Sequence, residues 1–182
     1  MTELESRIES LEKEIAEKKK ELARLRKQRE RREVEDFRLR DPDGNEIKLS
    51  QLFGEHDELV VIQNMGRNCS YCTMWADGFN GIYEYVQRKA GFALASPDSP
   101  DIQQTMRKQR GWTFPMVSTE GTSFKKETGF ADEHGQHPGV SVFRKGPHGE
   151  LYYTNRADFG PGDDFCAVWH VYDMLSDRGD GK

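Results

Sequence analysis

Apolar residues repeat with two different periods along this chain, and the change near residue 36 separates two regions. In residues 1–35, Leu4, Ile8, Leu11, Ile15, Leu22 and Leu25 follow alternating steps of four and three. Lys18 occupies the one slot in that series that should be apolar. The pattern predicts a long amphipathic helix with a seam of about three heptads, near the lower limit for a coiled coil. Thr2 and Glu5 have capping-box spacing at its start. From Phe37 the period falls to two. Phe37–Arg40 and Glu46–Leu49 alternate around the turn Asp41-Pro42-Asp43-Gly44-Asn45, which predicts a hairpin. Glu58–Gln63 reads as a buried strand, Thr73–Ala90 as a helix and Phe92–Ala95 as a short strand. A helix is expected from Ser99 or Pro100 to about Arg110, then an extended stretch at Met116–Ser118. Val140–Phe143 and Leu151–Thr154 predict a second hairpin, and Asp163–Ser176 a closing helix.

This order predicts a mixed α/β sandwich, residues 36–182, behind a charged helical leader, residues 1–35. Charge supports the division. The leader holds ten Glu and eleven Lys or Arg, so the remainder carries about six of the net negative charges. That balance argues against nucleic acid as the main partner. No segment has the length and apolarity of a membrane span. The charged start does not resemble a signal peptide, so a cytoplasmic setting is expected. The leader is a candidate dimerisation helix or a helix lying on its own domain.

The chemistry lies at Cys69-Ser70-Tyr71-Cys72. Two cysteines at C-x-x-C spacing follow a core strand and open a helix. Unpaired N–H groups and the positive end of the helix dipole favour a thiolate at Cys69. One turn later, Cys72 can close a disulfide with little backbone movement. The chain has three cysteines, an odd number that fits a redox or metal pair better than a disulfide framework. Cys69 is the expected nucleophile, Cys72 the resolving thiol, and Arg67 a candidate for lowering the thiol pKa. Cys166 falls in the run Phe165, Val168, Trp169, Tyr172 and Leu175, and is expected to pack in the last helix.

C-x-x-C after the first core strand, His137-Pro138-Gly139 before the strand Val140–Phe143, and the hairpin that follows resemble the thioredoxin fold. Three blocks are more specific: Asn64–Gly81, Gly111-Trp112-Thr113-Phe114-Pro115 and Pro138–Phe143. Together they resemble the domain-of-unknown-function family 899 of predicted thiol-disulfide oxidoreductases, from about residue 36 onward. The resemblance implies a thioredoxin-like sandwich, a mixed central sheet flanked by helices, with the N-terminal hairpin and long helix added. It also implies that Pro138 holds the place of the family's cis-proline and shapes a substrate edge, with Tyr71 and His137 beside it. Trp112, flanking the loop to Pro115, either lines a substrate groove or packs in the core. The partners implied are protein or small-molecule disulfides and a thiol reductant, with no cofactor. Departures are visible. Asn68 precedes the motif where thioredoxins have Trp, and Gln63 replaces their buried acid. The proton acceptor for Cys72 is then water or Asp77.

Three alternatives remain open. A peroxiredoxin-like thiol peroxidase would share the early hairpin and the Gly-Trp-Thr-Phe-Pro segment. Its nucleophile needs Thr or Ser three residues upstream, where Gly66 stands before Cys69. A copper or zinc protein would use Cys69, Cys72 and His137. A non-catalytic, redox-switched interaction module would use the dithiol to gate partner capture and the leader helix to form a homodimer.

Overall fold

The structure, a computed structural model, describes residues 2–175. Helix α1 (Glu3–Lys27) starts at the predicted capping box: the Glu5 N–H donates to Thr2 Oγ1, and the Thr2 N–H to Glu5 Oε2 at 2.7 Å. The helix ends eight residues short of the expected boundary. Its basic last turn suits the negative end of the dipole. Residues Arg32–Val34 instead form strand β1, which pairs antiparallel with the distant β10 (Leu151–Asp158). No residue of α1 is buried, and its apolar seam faces outward. The helix is tied to the rest by polar contacts: Lys19 to Asp164 at 2.6 Å, and the Asn155 amide to the Arg26 carbonyl at 3.1 Å.

The predicted hairpin forms as β2 (Arg38–Arg40) and β3 (Glu46–Lys48). Asp41 Oδ1 accepts the N–H groups of Asp43 and Asn45 and so closes the turn. A 3-10 turn at Leu49–Phe53 leads to β4 (Glu58–Gln63). Helix α2 (Ser70–Val86) follows, then β5 (Gly91–Ser96), α3 (Pro100–Arg110) and β6 (Met116–Ser118). Ser99, with Pro100 in the first turn, and Gly111 at φ +66 delimit α3, as the residue types require. The short helix α4 (Phe124–Glu127) and a small hairpin, β7 (Ala131–Asp132) with β8 (Gly135–Gln136), carry no periodic pattern and were not expected. Strand β9 (Gly139–Lys145) pairs with β10 as predicted. The closing helix is much shorter than the pattern suggested: α5 spans Ala167–Tyr172, and the expected end at Ser176 lies outside the described residues.

Eight strands form one sheet in the order β1-β10-β9-β4-β5-β6-β2-β3. Its centre, β4-β5-β6, is parallel, and β9 runs antiparallel beside β4. This is the expected mixed sheet of a thioredoxin-like sandwich. Alternation along the strands fills a core on each face. Ile62, Leu94 and Val140 meet α2 through Trp75, Ala76 and Phe79 on one face. Leu59, Val61, Ala93 and Phe143 meet Phe53 and Phe124 on the other. The C-terminal end of β4 therefore delivers the chain to the start of α2, with β9 alongside.

Candidate active site

Cys69 is the N-cap of α2. Its backbone is extended, and its Sγ accepts the N–H of Cys72 at 3.0 Å. The site was expected at a helix start, and that start lies three residues earlier than the apolar pattern indicated. Cys69 and Cys72 are joined as a disulfide, their Cα atoms 5.2 Å apart. Cys69 is half-buried, whereas Cys72 is 2% exposed and packs against the Trp75–Ile62 core. The two sulfurs thus differ in access to solvent.

The loop before α2 is held by a polar lattice. The Cys69 N–H donates to the Gly66 carbonyl at 3.1 Å. The Asn64 side chain accepts the Gly66 N–H at 2.7 Å, and its amide nitrogen lies 3.4 Å from the Cys72 carbonyl. The Met65 N–H points at Cys72 Sγ across 3.4 Å. Asp98, on the loop after β5, accepts the Arg67 N–H at 3.2 Å and the Ser96 hydroxyl at 2.9 Å. Behind this lattice stands Lys125 of α4, 3% exposed and the one charged residue among the buried groups described. Its ammonium donates to the Asn64 carbonyl at 2.6 Å. Burial pushes its pKa down to about 7, and the nearby charge of Asp98 opposes the fall.

The residues expected around the pair fall in several places. Tyr71 is 53% exposed, its ring 5.6 Å from Trp169 and 6.2 Å from Trp75. Arg67 is exposed and lines a cleft of about 500 Å³ with Asn68 and Thr73 and, from α3, Asp101, Met106 and Arg110. Trp112 is buried. Its ring stacks on Phe114, and its indole N–H donates to Asp77 at 2.8 Å. Asp77 is also paired with Arg110, so its carboxylate is already committed and does not serve as the proton acceptor expected for Cys72. Pro138 lies directly before β9, whose Gly139 is opposite Gln63 at the motif end of β4. The structure departs from expectation here: no peptide bond among the described residues is cis, and the Pro138 carbonyl already accepts the Phe159 N–H at 3.0 Å. His137 pairs with Asp132 at 2.7 Å, which holds the Asp132 carboxyl below its usual range. The alternative metal set of Cys69, Cys72 and His137 is therefore not assembled. Among the described residues no three His, Cys, Asp or Glu side chains converge as metal ligands. Cys166 is buried and free, and packs in the same core as Cys72. It stands at the N-cap of α5 rather than inside the helix.

Sequence reasoning missed Asn64 as a loop anchor, and it missed Lys125 entirely. Lys125 sits in the polar run Ser123-Phe124-Lys125-Lys126-Glu127, where nothing distinguishes it from the exposed Lys126.

Fold and site together define a thioredoxin-like protein with a paired dithiol at the end of its central strand. The chain belongs to the family described as "Bacterial protein of unknown function (DUF899)", whose profile it matches over residues 4–180. It is also 31% identical over 125 residues to the chloroplastic peroxiredoxin Q of Populus jackii; that stretch is 66% of this chain and 57% of the poplar protein. Among solved structures, a cysteine variant of Xanthomonas campestris peroxiredoxin Q superposes with a TM-score of 0.56 at 18% identity, covering 76% of this chain and 90% of that one. Peroxidoxin BcpB of Mycobacterium tuberculosis gives 0.57 at 17% identity, covering 81% and 99%. Both likenesses are of fold.

Proposed function

We propose that this protein carries out thiol–disulfide exchange, with Cys69 as nucleophile and Cys72 as resolving thiol. One observation carries the reading: a half-exposed sulfur caps α2 and is bonded to a buried sulfur one turn along. In the reduced protein, the Cys72 N–H and the helix dipole both favour a Cys69 thiolate. That thiolate attacks one sulfur of a substrate disulfide, forming a mixed disulfide and expelling the first substrate thiolate. Cys72 loses its proton and attacks Cys69 Sγ, expelling the second. The substrate gains two electrons, and the pair becomes the Cys69–Cys72 disulfide. A thiol reductant restores the dithiol. Arg67 on the cleft it lines with Asn68 and Thr73, the exposed Tyr71, and the strand entrance at His137 and Pro138 are proposed as the substrate surround, with the buried Trp112 hydrogen-bonded to Asp77 of α2 from within. We place this chemistry in the cytoplasm, where thiol reductants keep such a pair cycling.

A second reading has specific support in the similarity to peroxiredoxin Q. Here the Cys69 thiolate attacks a peroxide O–O bond and releases water or an alcohol. Cys72 then displaces water from the Cys69 sulfenic acid. Both routes end in the same disulfide. Mixing the reduced protein with oxidised glutathione or with hydrogen peroxide, and comparing second-order rates of dithiol loss, separates them. Faster oxidation by glutathione disulfide supports exchange; faster oxidation by peroxide replaces it with peroxidase activity.

A further inference from the structure

Cys72 and Lys125 are linked by a single peptide group. The carbonyl of Asn64, which accepts the Lys125 ammonium at 2.6 Å, and the N–H of Met65, which points at Cys72 Sγ across 3.4 Å, are the two ends of the same amide. A cation on the carbonyl oxygen draws electron density through the amide and strengthens its N–H as a donor. A thiolate is the acceptor that gains most from such a donor. Resting on the dithiol reading above, we infer that Lys125 is a positioning residue for Cys72: acting through the Asn64–Met65 peptide, it stabilises the Cys72 thiolate in the reduced protein.

The surroundings leave this role to Lys125. Gln63, at the end of β4, is neutral, and its amide nitrogen is bonded to the Ser141 hydroxyl at 3.0 Å. Asp77 is held by Arg110 and Trp112. The groups facing Lys125 can be named by element. From the loop after β5, Asp98 acts on its charge. Across the Asn64–Met65 peptide the titratable group is Cys72 of α2, and Gln63 at the end of β4 and Asn64 just after it are neutral. From β1 and β10, Arg32 and Tyr153 donate to the Glu127 and Thr128 carbonyls at the C-terminal end of α4. On α4 itself, Lys126 and Glu127 are exposed. A buried ammonium with one carbonyl acceptor is costly in the oxidised protein. A thiolate formed across the peptide offsets that cost, so the lysine favours the reduced, ionised pair.

The test uses the full-length chain. In a Cys69→Ser, Cys166→Ala background, which leaves Cys72 as the one thiol of the chain, Cys72 is titrated by its ultraviolet thiolate absorbance, with Lys125, Lys125→Met or Lys125→Arg. The midpoint of the intact Cys69–Cys72 pair is measured in dithiothreitol buffers for the same three residues. Lys125→Met is expected to raise the Cys72 pKa by about one unit, a tenfold loss of thiolate, and, at a pH above the Cys72 pKa of both proteins, to make the disulfide about tenfold harder to reduce. Lys125→Arg, which keeps the cation, is expected to retain most of both values. A folded Lys125→Met protein with an unchanged Cys72 titration overturns the inference; Lys125→Gln serves if the Met variant does not fold. A purely packing role would not follow charge in this way. Absence of any reversible dithiol transition in the unmodified protein would overturn the exchange reading, while the Cys72 titration would still decide the coupling to Lys125.

Discussion

The indole nitrogen of Trp75, one turn beyond the dithiol, donates to Asp163 Oδ2 at 2.9 Å. The same carboxylate accepts the N–H groups of Gly160, Phe165 and Cys166, so one side chain closes the 160–166 loop and fastens it to α2. Asp163→Ala removes the acceptor of four donors at once. The expected loss is about 2–4 kcal/mol in urea unfolding, since unsatisfied, partly buried donors lose their full solvation. Trp75 emission should shift to longer wavelength as the loop lifts. A loss below ~1 kcal/mol would mean that water replaces the carboxylate without penalty.

Cys69→Ser should abolish disulfide reduction. Cys72→Ser should leave the first attack intact and trap a mixed disulfide with the substrate. Mass spectrometry after mixing with a thiol-labelled disulfide distinguishes them: an adduct on the Cys72→Ser protein and none on Cys69→Ser. The reverse pattern would exchange the two roles.

In the oxidised, disulfide-bonded protein, which has no Cys72 thiolate to hold the ammonium, the pKa of Lys125 is about 7 and lies below the ordinary lysine value of 10.5. Between these limits the unfolded chain holds a proton that the folded chain has released. This group therefore makes stability rise with pH from about 7 towards 10.5, by up to ~1.4 kcal/mol per unit, and its full penalty applies below about 7. Lys125→Met should be the more stable protein at pH 6, and its urea midpoint should lack that rise. Parallel pH–stability curves for the two proteins would refute the prediction.

Gly66 adopts φ +103, and a Cβ there would lie 3.0 Å from Asp98 Oδ1. Gly66→Ala should cost about 1–3 kcal/mol through backbone strain. Because the Gly66 carbonyl accepts the Cys69 N–H, the substitution should also change the alkylation rate of reduced Cys69. Unchanged stability and thiol reactivity would show that the loop accommodates the methyl group.

The apolar seam of α1 is exposed at Leu4, Ile8, Leu11, Ile15, Leu22 and Leu25. Pairing with a second copy along this heptad seam is the expected arrangement in solution. Sedimentation should report a dimer that Leu11→Glu with Ile15→Glu converts to monomer. A monomeric unmodified protein at micromolar concentration would exclude it.

Much of the architecture was legible from local chemistry. The Thr2–Glu5 cap, the Asp41 turn, the Ser99–Gly111 limits of α3 and the alternation of β4 are encoded within a few residues of where they act. The C-x-x-C pair is legible for the same reason, because helix-turn spacing alone brings the two sulfurs together. Elements formed by long-range pairing were not. Strand β1 exists because Arg32–Val34 finds β10, more than a hundred residues away, and a helix-forming composition concealed it. The closing helix was overestimated because Asp163 draws Phe165 and Cys166 into a turn before α5 can start.

The division between sequence and tertiary structure follows the range of the forces involved. Periodicity, caps and turns act over one to four residues, so the chain alone indicates the sandwich, the order of its central strands and helices, and the position of its dithiol, but not β1, α4 or the β7–β8 hairpin. Desolvation and hydrogen bonding at Cys72 come from residues that only folding brings together. Asn64 and Met65 lie just after β4, and they are held in turn by Lys125 on α4, while Asp98 on the loop after β5 holds the neighbouring Arg67 N–H. Lys125 and Lys126 are adjacent and chemically identical. Folding buries one beside the motif loop and leaves the other in water, and burial gives Lys125 its depressed pKa.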